Sequence, residues 1–364
     1  MFKRNQTMSR HLLTLFLLAL APALSAATTD KSFVASAQDP MQRPALKSRL
    51  ASRSVLVAVD RAGQRLVAVG ERGHVLVSDD HARSWQQVDV PVSVTLTSVH
   101  FVDERVGWAV GHSGVILHSN DGGSSWRKQL DGVRANQLIA EAALASGNTA
   151  LLERAKRFEM DGPDKPFLAV HFTDTKRGLA VGAFGIAFAT EDGGQQWRPI
   201  LDLVPNDDER HIYAIHETAD AVYLAGEQGL LVRRRNQQGN FEKLDTPFRS
   251  TLFSLLSAAD GTLLASGLGG KVYRSTDQGR QWDAVTPAGK TALTAGSVIK
   301  GGVVLVNETG QLLLSADGGR NFKAVSPTGQ PFPAAGLAPT ANGQLVVVGP
   351  FGVQAFPAPS FHTN

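Results

Sequence analysis

Residues 107–126 read GWAVGHSGVILHSNDGGSSW, and this stretch contains the two motifs that decide the fold. The first motif is G-x-x-G between two short apolar runs. The second is S-x-D-x-G-x-x-W, which begins five residues after the second glycine. Two apolar runs joined by a tight glycine turn are typical of a β-hairpin. The stretch therefore predicts two antiparallel strands, then a polar turn and a further strand.

The first motif occurs seven times along the chain. The copies are VAVGERGHVLV at 67–77, WAVGHSGVILH at 108–118, LAVGAFGIAFA at 179–189, YLAGEQGLLVR at 223–233, LASGLGGKVYR at 264–274, VLVNETGQLLL at 304–314 and VVVGPFGVQAF at 346–356. Their first glycine positions are separated by 41, 71, 44, 41, 40 and 42 residues. A period near 40 to 45 residues with four short strands per unit is typical of a β-propeller. The sequence predicts an all-β, seven-bladed β-propeller with an insertion in the long interval between blades 2 and 3.

The second motif occurs five times, as SDDHARSW at 78–85, SNDGGSSW at 119–126, TEDGGQQW at 190–197, STDQGRQW at 275–282 and SADGGRNF at 315–322. Its acids are Asp80, Asp121, Asp192, Asp277 and Asp317. Aspartate accepts backbone N–H groups in tight turns, and the aromatic residue packs back onto the sheet. The fourth unit, RRRNQQGNF at 233–241, lacks the acid. Because the acids repeat with the fold, we predict that they stabilise turns rather than serve as catalytic carboxylates or calcium ligands.

Together these motifs resemble the BNR or Asp-box repeat family, and residues 107–126 are most similar to its branch of photosystem II stability and assembly factors. The resemblance covers residues 54–357. It implies a propeller in the periplasm or lumen that assists assembly of a membrane protein complex. For a non-photosynthetic bacterium it implies an envelope membrane protein as the partner, with exporters of the RND type among the candidates. The resemblance carries over no cofactor-binding residue.

The N-terminus has the order of a secretory signal. A basic segment is followed by LLTLFLLAL at 12–20 and by APALSAA at 21–27. We predict a cleaved signal peptide at 1–27, a propeller domain at 28–364 and a periplasmic monomer that is not an integral membrane protein. An uncleaved anchor is the alternative, and Met8 is a second candidate initiator. The chain has no cysteine, which excludes disulfides and a lipid anchor on cysteine.

Charge and motif content exclude several classes of function. Lys3, Arg4 and Arg10 account for the whole excess of 36 basic over 33 acidic residues, so the body is neutral and gives no reason to expect nucleic acid binding. Sialidases also use Asp-box propellers, but Tyr213 and Glu217, a tyrosine and a glutamate close in sequence, would be about 13 Å apart on one strand. We predict no catalytic residue, cofactor or metal.

Residues 132–165 carry the insertion. ANQLIAEAALA at 135–145 and NTALLERAKRF at 148–158 are rich in Ala and Leu and predict a helical hairpin. Leu151, Ala155 and Phe158 share one helical face, and we place Arg154 and Arg157 off that face, either solvated or in a binding patch. We also predict that KSFVASA at 31–37 supplies the outer strand of the last blade.

Strand parity predicts the partner-binding face. Successive antiparallel strands connect on alternate faces of the disc, so the G-x-x-G turns and the insertion share one face and the Asp-boxes lie on the other. The candidate partner-binding residues on that face are Arg72, His112, Phe184, Glu227, Gln228, Glu308, Phe351, Arg154 and Arg157. A small-ligand or glycan-binding propeller is the alternative, although only Phe184 and Phe351 bring aromatic rings to the turns. The run 233–235 of three arginines is either a solvated edge or a patch for an anionic partner.

Overall fold

Seven antiparallel sheets follow one another along the chain and form the blades of a β-propeller. The computed structural model describes residues 39–235, 239–286, 289–325 and 332–357. The signal peptide predicted at 1–27 and the strand predicted at 31–37 lie outside these ranges. The seven-bladed fold predicted from the repeat is confirmed, with the helical hairpin between blades 2 and 3.

Each blade runs in chain order from its inner to its outer strand. The first three blades contain β1 (Leu56–Ala62), β2 (Arg65–Gly70), β3 (Val75–Ser78) and β4 (Gln86–Gln87); β5 (Leu96–Phe101), β6 (Gly107–Gly111), β7 (Ile116–Ser119) and β8 (Arg127–Leu130); β9 (Phe167–Phe172), β10 (Gly178–Gly182), β11 (Ala187–Thr190) and β12 (Arg198–Pro199). Blades 4 and 5 contain β13 (Ile212–Glu217), β14 (Ala221–Gly226), β15 (Leu231–Arg235) and β16 (Glu242–Lys243); β17 (Leu252–Ser257), β18 (Leu263–Gly267), β19 (Val272–Ser275) and β20 (Asp283–Val285). Blades 6 and 7 contain β21 (Leu293–Ile299), β22 (Gly302–Asn307), β23 (Leu312–Ser315) and β24 (Lys323–Val325); β25 (Gly336–Pro339), β26 (Leu345–Gly349) and β27 (Gly352–Phe356).

The ring closes through the inner strands. Each inner strand packs against that of the next blade, and β1 packs against both β5 and β25. Blade 7 has three strands in the described ranges. Because the blades pack face to face, the second strands are almost wholly buried and consist mostly of small or apolar residues. Between blades 2 and 3, the rings of Trp108 and Phe172 stack with their centroids 3.4 Å apart.

The G-x-x-G motif is a steric requirement of the turn between the second and third strands. A Cβ atom at Gly111 would lie 2.2 Å from the carbonyl oxygen of Thr95, so only glycine fits without moving backbone. Gly114 adopts φ +61°, in the left-handed region that favours glycine. The first glycine is thus needed because the turn lies close to the backbone of the chain that enters the blade.

The insertion forms two helices, α1 (Gly132–Ser146) and α2 (Thr149–Asp161), as predicted. Helix α1 begins after Asp131, whose side chain accepts the backbone N–H of Arg134, and it ends at Gly147 with φ 65°. Ile139, Leu151 and Phe158 are buried in one cluster with the aromatic core of blades 2 and 3. The hairpin therefore shares its core with the ring.

Candidate functional site

In each Asp-box, the aspartate side chain accepts hydrogen bonds from other residues of the same turn. Asp121 accepts hydrogen bonds from the Ser119 hydroxyl at 2.8 Å, and from the Ser125 backbone N–H at 2.9 Å and hydroxyl at 2.6 Å. The Ser119 hydroxyl in turn accepts the N–H of Gly123 at 2.9 Å. Equivalent bonds surround the other four acids, Asp80, Asp192, Asp277 and Asp317. These hydrogen bonds stay within the turn, as a structural role requires, and that role stays a prediction.

These hydrogen bonds also stabilise the ionised acids. The Ser84 hydroxyl and backbone N–H lower the pKa of Asp80 to about 2. For Asp317, burial favours the neutral form, but hydrogen bonds from Asn321 and Ser315 outweigh it and lower the pKa to about 2. The same balance lowers the pKa of Asp121.

The Asp-box turns are also tied to the preceding blade. The residue after the acid offers its carbonyl oxygen to a side chain of that blade in four boxes. The four bonds are Arg65 to Gly122, Gln129 to Gly193, Arg233 to Gln278 and Arg274 to Gly318, with lengths of 2.7 to 3.2 Å. The boxes therefore link neighbouring blades on one face of the disc, which we name the box face. The opposite face, with the G-x-x-G turns, is the turn face.

Most of the predicted partner-binding residues are exposed on the turn face. The exposed members are Arg72, His112, Phe184, Gln228, Glu308 and Phe351. Phe351 is 66% exposed and Phe184 is 43% exposed. Glu227 differs, because its carboxylate is half-buried and accepts the backbone N–H of His211 at 2.8 Å. Glu227 is therefore already bonded to the chain that leads into the inner strand of its own blade.

The helical hairpin lies beside these turns. Helix α1 packs against the turn at His112–Gly114, as strand parity predicts. The placement of Arg154 off the buried face of α2 is wrong: Arg154 is buried, and its guanidinium donates to the carbonyl oxygen of Phe184. The reason is tertiary, since the ring approaches α2 from the side on which Arg154 lies. Arg157 is half-exposed and pairs with Glu209. Arg154 therefore cannot contact a partner without unfolding this junction.

A row of rings, which the sequence analysis missed, runs from the turn face to the first residues of the inner strands of blades 4 and 5. Phe184 lies 4.9 Å from His211, His211 lies 6.2 Å from Tyr213, and Tyr213 meets Phe253 edge to face at 5.2 Å, measured between ring centroids. The rings come from three blades, so no local spacing relates them. A search for aromatic residues at the start of successive inner strands would have found Tyr213 and Phe253. We name these four residues the aromatic row.

The box-face end of the inner strands carries a different, ionisable cluster. Asp60 lies 3.6 Å from His100, the rings of His100 and His171 are 4.6 Å apart, and His171 lies 2.7 Å from Glu217. Burial raises the pKa of Asp60 to about 6. Burial, with a contribution from His171, lowers the pKa of His100 to about 4. His216 bonds Ser257 at 2.6 Å, and burial lowers its pKa to about 4 as well.

The positions of Tyr213, Glu217 and the acidic and histidine residues can be compared with what sialidase chemistry or a metal site requires. Tyr213 belongs to the aromatic row, whereas Glu217 lies at the other end of β13 and bonds His171 and Thr173. The two residues therefore do not form the tyrosine and glutamate pair that sialidase chemistry uses. Across the described ranges, no group of three His, Cys, Asp or Glu residues could hold a metal ion. In the same ranges, no helix is long and apolar enough to cross a membrane.

Within the described ranges, six four-stranded blades and one three-stranded blade, with box turns in five of them on one face and glycine turns on the other, define the chain as an Asp-box β-propeller. The model of the family described as photosynthesis system II assembly factor YCF48 matches residues 77–143 and 155–299. These ranges are more than half of the chain, and the chain belongs to that family.

Two curated relatives agree with this membership. The photosystem II assembly protein Ycf48 of Synechococcus sp. (strain JA-2-3B'a(2-13)) is 27% identical over 136 residues, which are 32% of this chain and 40% of the relative. The chloroplastic photosystem II stability/assembly factor HCF136 of Cyanidioschyzon merolae (strain NIES-3377 / 10D) is 32% identical over 88 residues, 24% of this chain and 19% of the relative. The matches thus span less than half the length of these relatives.

Solved structures show the same fold. A structure of YCF48 bound to D1 peptide has a TM-score of 0.64 and 17% identity, covering 87% of this chain and 100% of that one. The GH74 enzyme of Niastella koreensis has a TM-score of 0.58 and 12% identity, covering 83% of this chain and 52% of that one. At these identities the likeness concerns the fold alone.

Proposed function

We propose that this chain is a noncatalytic scaffold, exported to the periplasm, that assists the assembly or stability of a membrane protein complex in the cell envelope. Membership in a family described as an assembly factor supports the general role. The signal-like residues 1–27 support export. An exporter of the RND type is one candidate partner. The solved complex of YCF48 with D1 peptide supports peptide recognition by this fold.

The observation that carries the proposal is the contrast between backbone and side chains on the turn face. Five of the seven turns share one conformation, in which the residue before the second glycine has φ between 50° and 69°. That residue is Arg72, Ser113, Phe184, Gln228 or Gly269, so charge, size and polarity differ from blade to blade. A rigid frame with variable exposed side chains is suited to recognition.

The hairpin extends this surface in a fixed orientation. Lys165 is buried, lies 5.4 Å from the centroid of the Phe184 ring and pairs with Asp161 at 3.2 Å. Arg154 donates to the carbonyl oxygen of Phe184 and lies 3.9 Å from Glu209, so it joins α2 to this turn and to the chain that enters blade 4. A partner would therefore meet a pre-organised surface, which reduces the entropic cost of binding.

Capture from detergent-solubilised envelope tests the proposal. The charge reversal Arg72→Glu combined with Phe351→Ser should reduce partner capture at least about tenfold and leave melting unchanged, because both side chains are exposed. Lys323→Glu on the outer strand of blade 6 is the matched control and should bind like the unmodified chain. Equal capture by both variants would contradict the use of the turn face.

The aromatic row favours the small-ligand alternative, because neighbouring aromatic rings can bind sugars and other planar or apolar groups. A glycan array with the unmodified chain and with Tyr213→Ala tests it. Binding that is lost in the variant would favour a glycan-binding propeller. The absence of binding to any glycan would leave the aromatic row as part of the protein surface that meets the partner.

A further inference from the structure

The fourth blade breaks the repeat at one buried position. In blades 1, 2, 3, 5 and 6, the eighth residue after the first position of the G-x-x-G motif is the hydroxyl residue of the Asp-box. These residues are Ser78, Ser119, Thr190, Ser275 and Ser315, and they are only 1 to 3% exposed. The same count from Gly226 reaches Arg234. A long cation therefore stands where the other blades bury a small hydroxyl group.

Arg234 is not on a solvated edge, which corrects one interpretation of the arginine run at 233–235. Its side chain is buried, with 8% exposure, and its guanidinium lies 4.8 Å from the centroid of the Phe241 ring. Its Nε atom is buried and has no hydrogen-bond partner within the described part of the chain. Arg233 is buried too, but it pairs with Glu242 at 2.6 Å. A buried guanidinium with unused donors is costly unless something binds it.

Arg234 lines a cavity of about 60 Å³ between blades 3 and 4 on the box face. This volume exceeds the roughly 10 to 15 Å³ that one water needs. Arg177 and Arg198 also line the cavity, together with the side chains of Thr173 and Thr190. Between four other pairs of neighbouring blades, an Asp-box turn is hydrogen-bonded to the preceding blade. The fourth unit lacks the motif acid.

Among the residues that the structure describes, the charges around the cavity leave one cation without a partner. Arg177 pairs with Asp174 at 2.9 Å, and Arg198 lies 3.6 Å from Glu191. Glu217 is already hydrogen-bonded to His171 and Thr173. Burial, followed by repulsion from Arg198, holds the pKa of Arg234 below its usual range, and these two effects outweigh the attraction of Glu191 and Glu217. An anion between Arg234 and Arg198 would offset both effects.

We propose that this cavity binds a single carboxylate group through Arg234, with Arg198 and Arg177 at its rim. The planar fork of a guanidinium matches a carboxylate and can bind it with two parallel hydrogen bonds. A monoanion fits better than a phosphate dianion, because Glu191 also lines the cavity and Arg234 is the one cation left over there. The site lies on the box face, away from the turns, so it stands or falls separately from the proposed function.

Titration of the purified protein with sodium propionate, followed by NMR and by melting temperature, tests the site. Sodium chloride at equal ionic strength is the reference. Propionate should raise the melting temperature and shift amide signals of blades 3 and 4, and inorganic phosphate should have a weaker effect. The capped peptides acetyl-Gly-Glu-Gly-amide and acetyl-Gly-Gln-Gly-amide distinguish an acidic side chain from a free acid. Binding of propionate or of the glutamate peptide supports the proposal.

The variants Arg234→Met and Arg198→Gln should each weaken propionate binding at least about tenfold, which corresponds to about 1.4 kcal/mol. Methionine keeps an apolar stem on Phe241, and Arg198→Gln changes a half-exposed residue, so it tests the site even if the first variant does not fold. Arg235→Gln, on the same strand but exposed, is the matched control and should bind normally. Failure of both carboxylate probes to bind, or equal binding by all variants, would overturn the proposal.

Discussion

The replacement Asp121→Ala tests whether an Asp-box acid stabilises its turn. The variant removes the acceptor for three hydrogen bonds. Ser119 is only 1% exposed, so its hydroxyl group loses its acceptor in a place that water does not easily reach. The two bonds from Ser125 lie at the surface, where water replaces the acid. One buried unsatisfied donor and two exposed bonds together correspond to a loss of about 1 to 3 kcal/mol in the free energy of unfolding.

Chemical denaturation and calorimetry measure this loss. With about 2.1 cal/mol/K of unfolding entropy per residue, a propeller of about 300 residues should melt about 2 to 5 °C lower. Asp121→Asn keeps one oxygen acceptor and should lose less. Asp89→Ala is the control, because Asp89 is 93% exposed, and it should change stability by less than about 0.5 kcal/mol. An unchanged melting temperature for Asp121→Ala with lost partner capture would refute the structural reasoning.

Three further predictions concern the hairpin, the glycine turns and the buried histidines. Phe158→Ala should lower the free energy of unfolding by about 3 to 5 kcal/mol in a urea series, because Phe158 is buried in the core that α2 shares with the ring, whereas Met160→Ala, at an exposed position, should change little. Gly111→Ala should prevent accumulation of soluble protein, because its Cβ would overlap a carbonyl, whereas Gly147→Ala has free space around its Cβ, should cost only about 1 kcal/mol, and serves as the comparison in an expression assay. The imidazoles of His100 and His216 should stay neutral in NMR spectra down to about pH 5. Because both imidazoles bind protons below about pH 6.5 in the unfolded chain, the free energy of unfolding should fall as the pH falls from 6.5 to 4, and it should fall less in His216→Gln. Equal pH profiles for the unmodified protein and this variant would contradict the assigned burial.

The repeat and the hairpin could be predicted because their signals are local. A glycine turn and its flanking strands lie within eleven residues, and the acid motif within eight, so each unit of sequence contains its own structural information. The two helices were likewise evident from composition and from Gly147. Seven such units at a regular period then determine the ring.

The properties of the candidate sites could not be predicted in the same way, because they arise where different blades meet. Arg154 is buried because it packs against the turn at Phe184, which is 30 residues away in the sequence. The aromatic row joins residues from three blades. The position of Arg234 can be read from the sequence by counting from the first position of the G-x-x-G motif, since Arg234 stands where the five blades with an Asp-box have a hydroxyl residue. Its burial, however, depends on how blade 4 faces blade 3.

Photo-crosslinking in intact cells tests most directly whether the turn face binds the envelope partner. A photoreactive residue at Gln228 lies on the turn face, and one at Arg280 lies in the Asp-box turn of blade 5, and both positions are exposed. The account predicts that the probe at position 228 crosslinks to an envelope membrane protein and that the probe at position 280 does not. Crosslinks from position 280 to such a protein, with none from position 228, would contradict it.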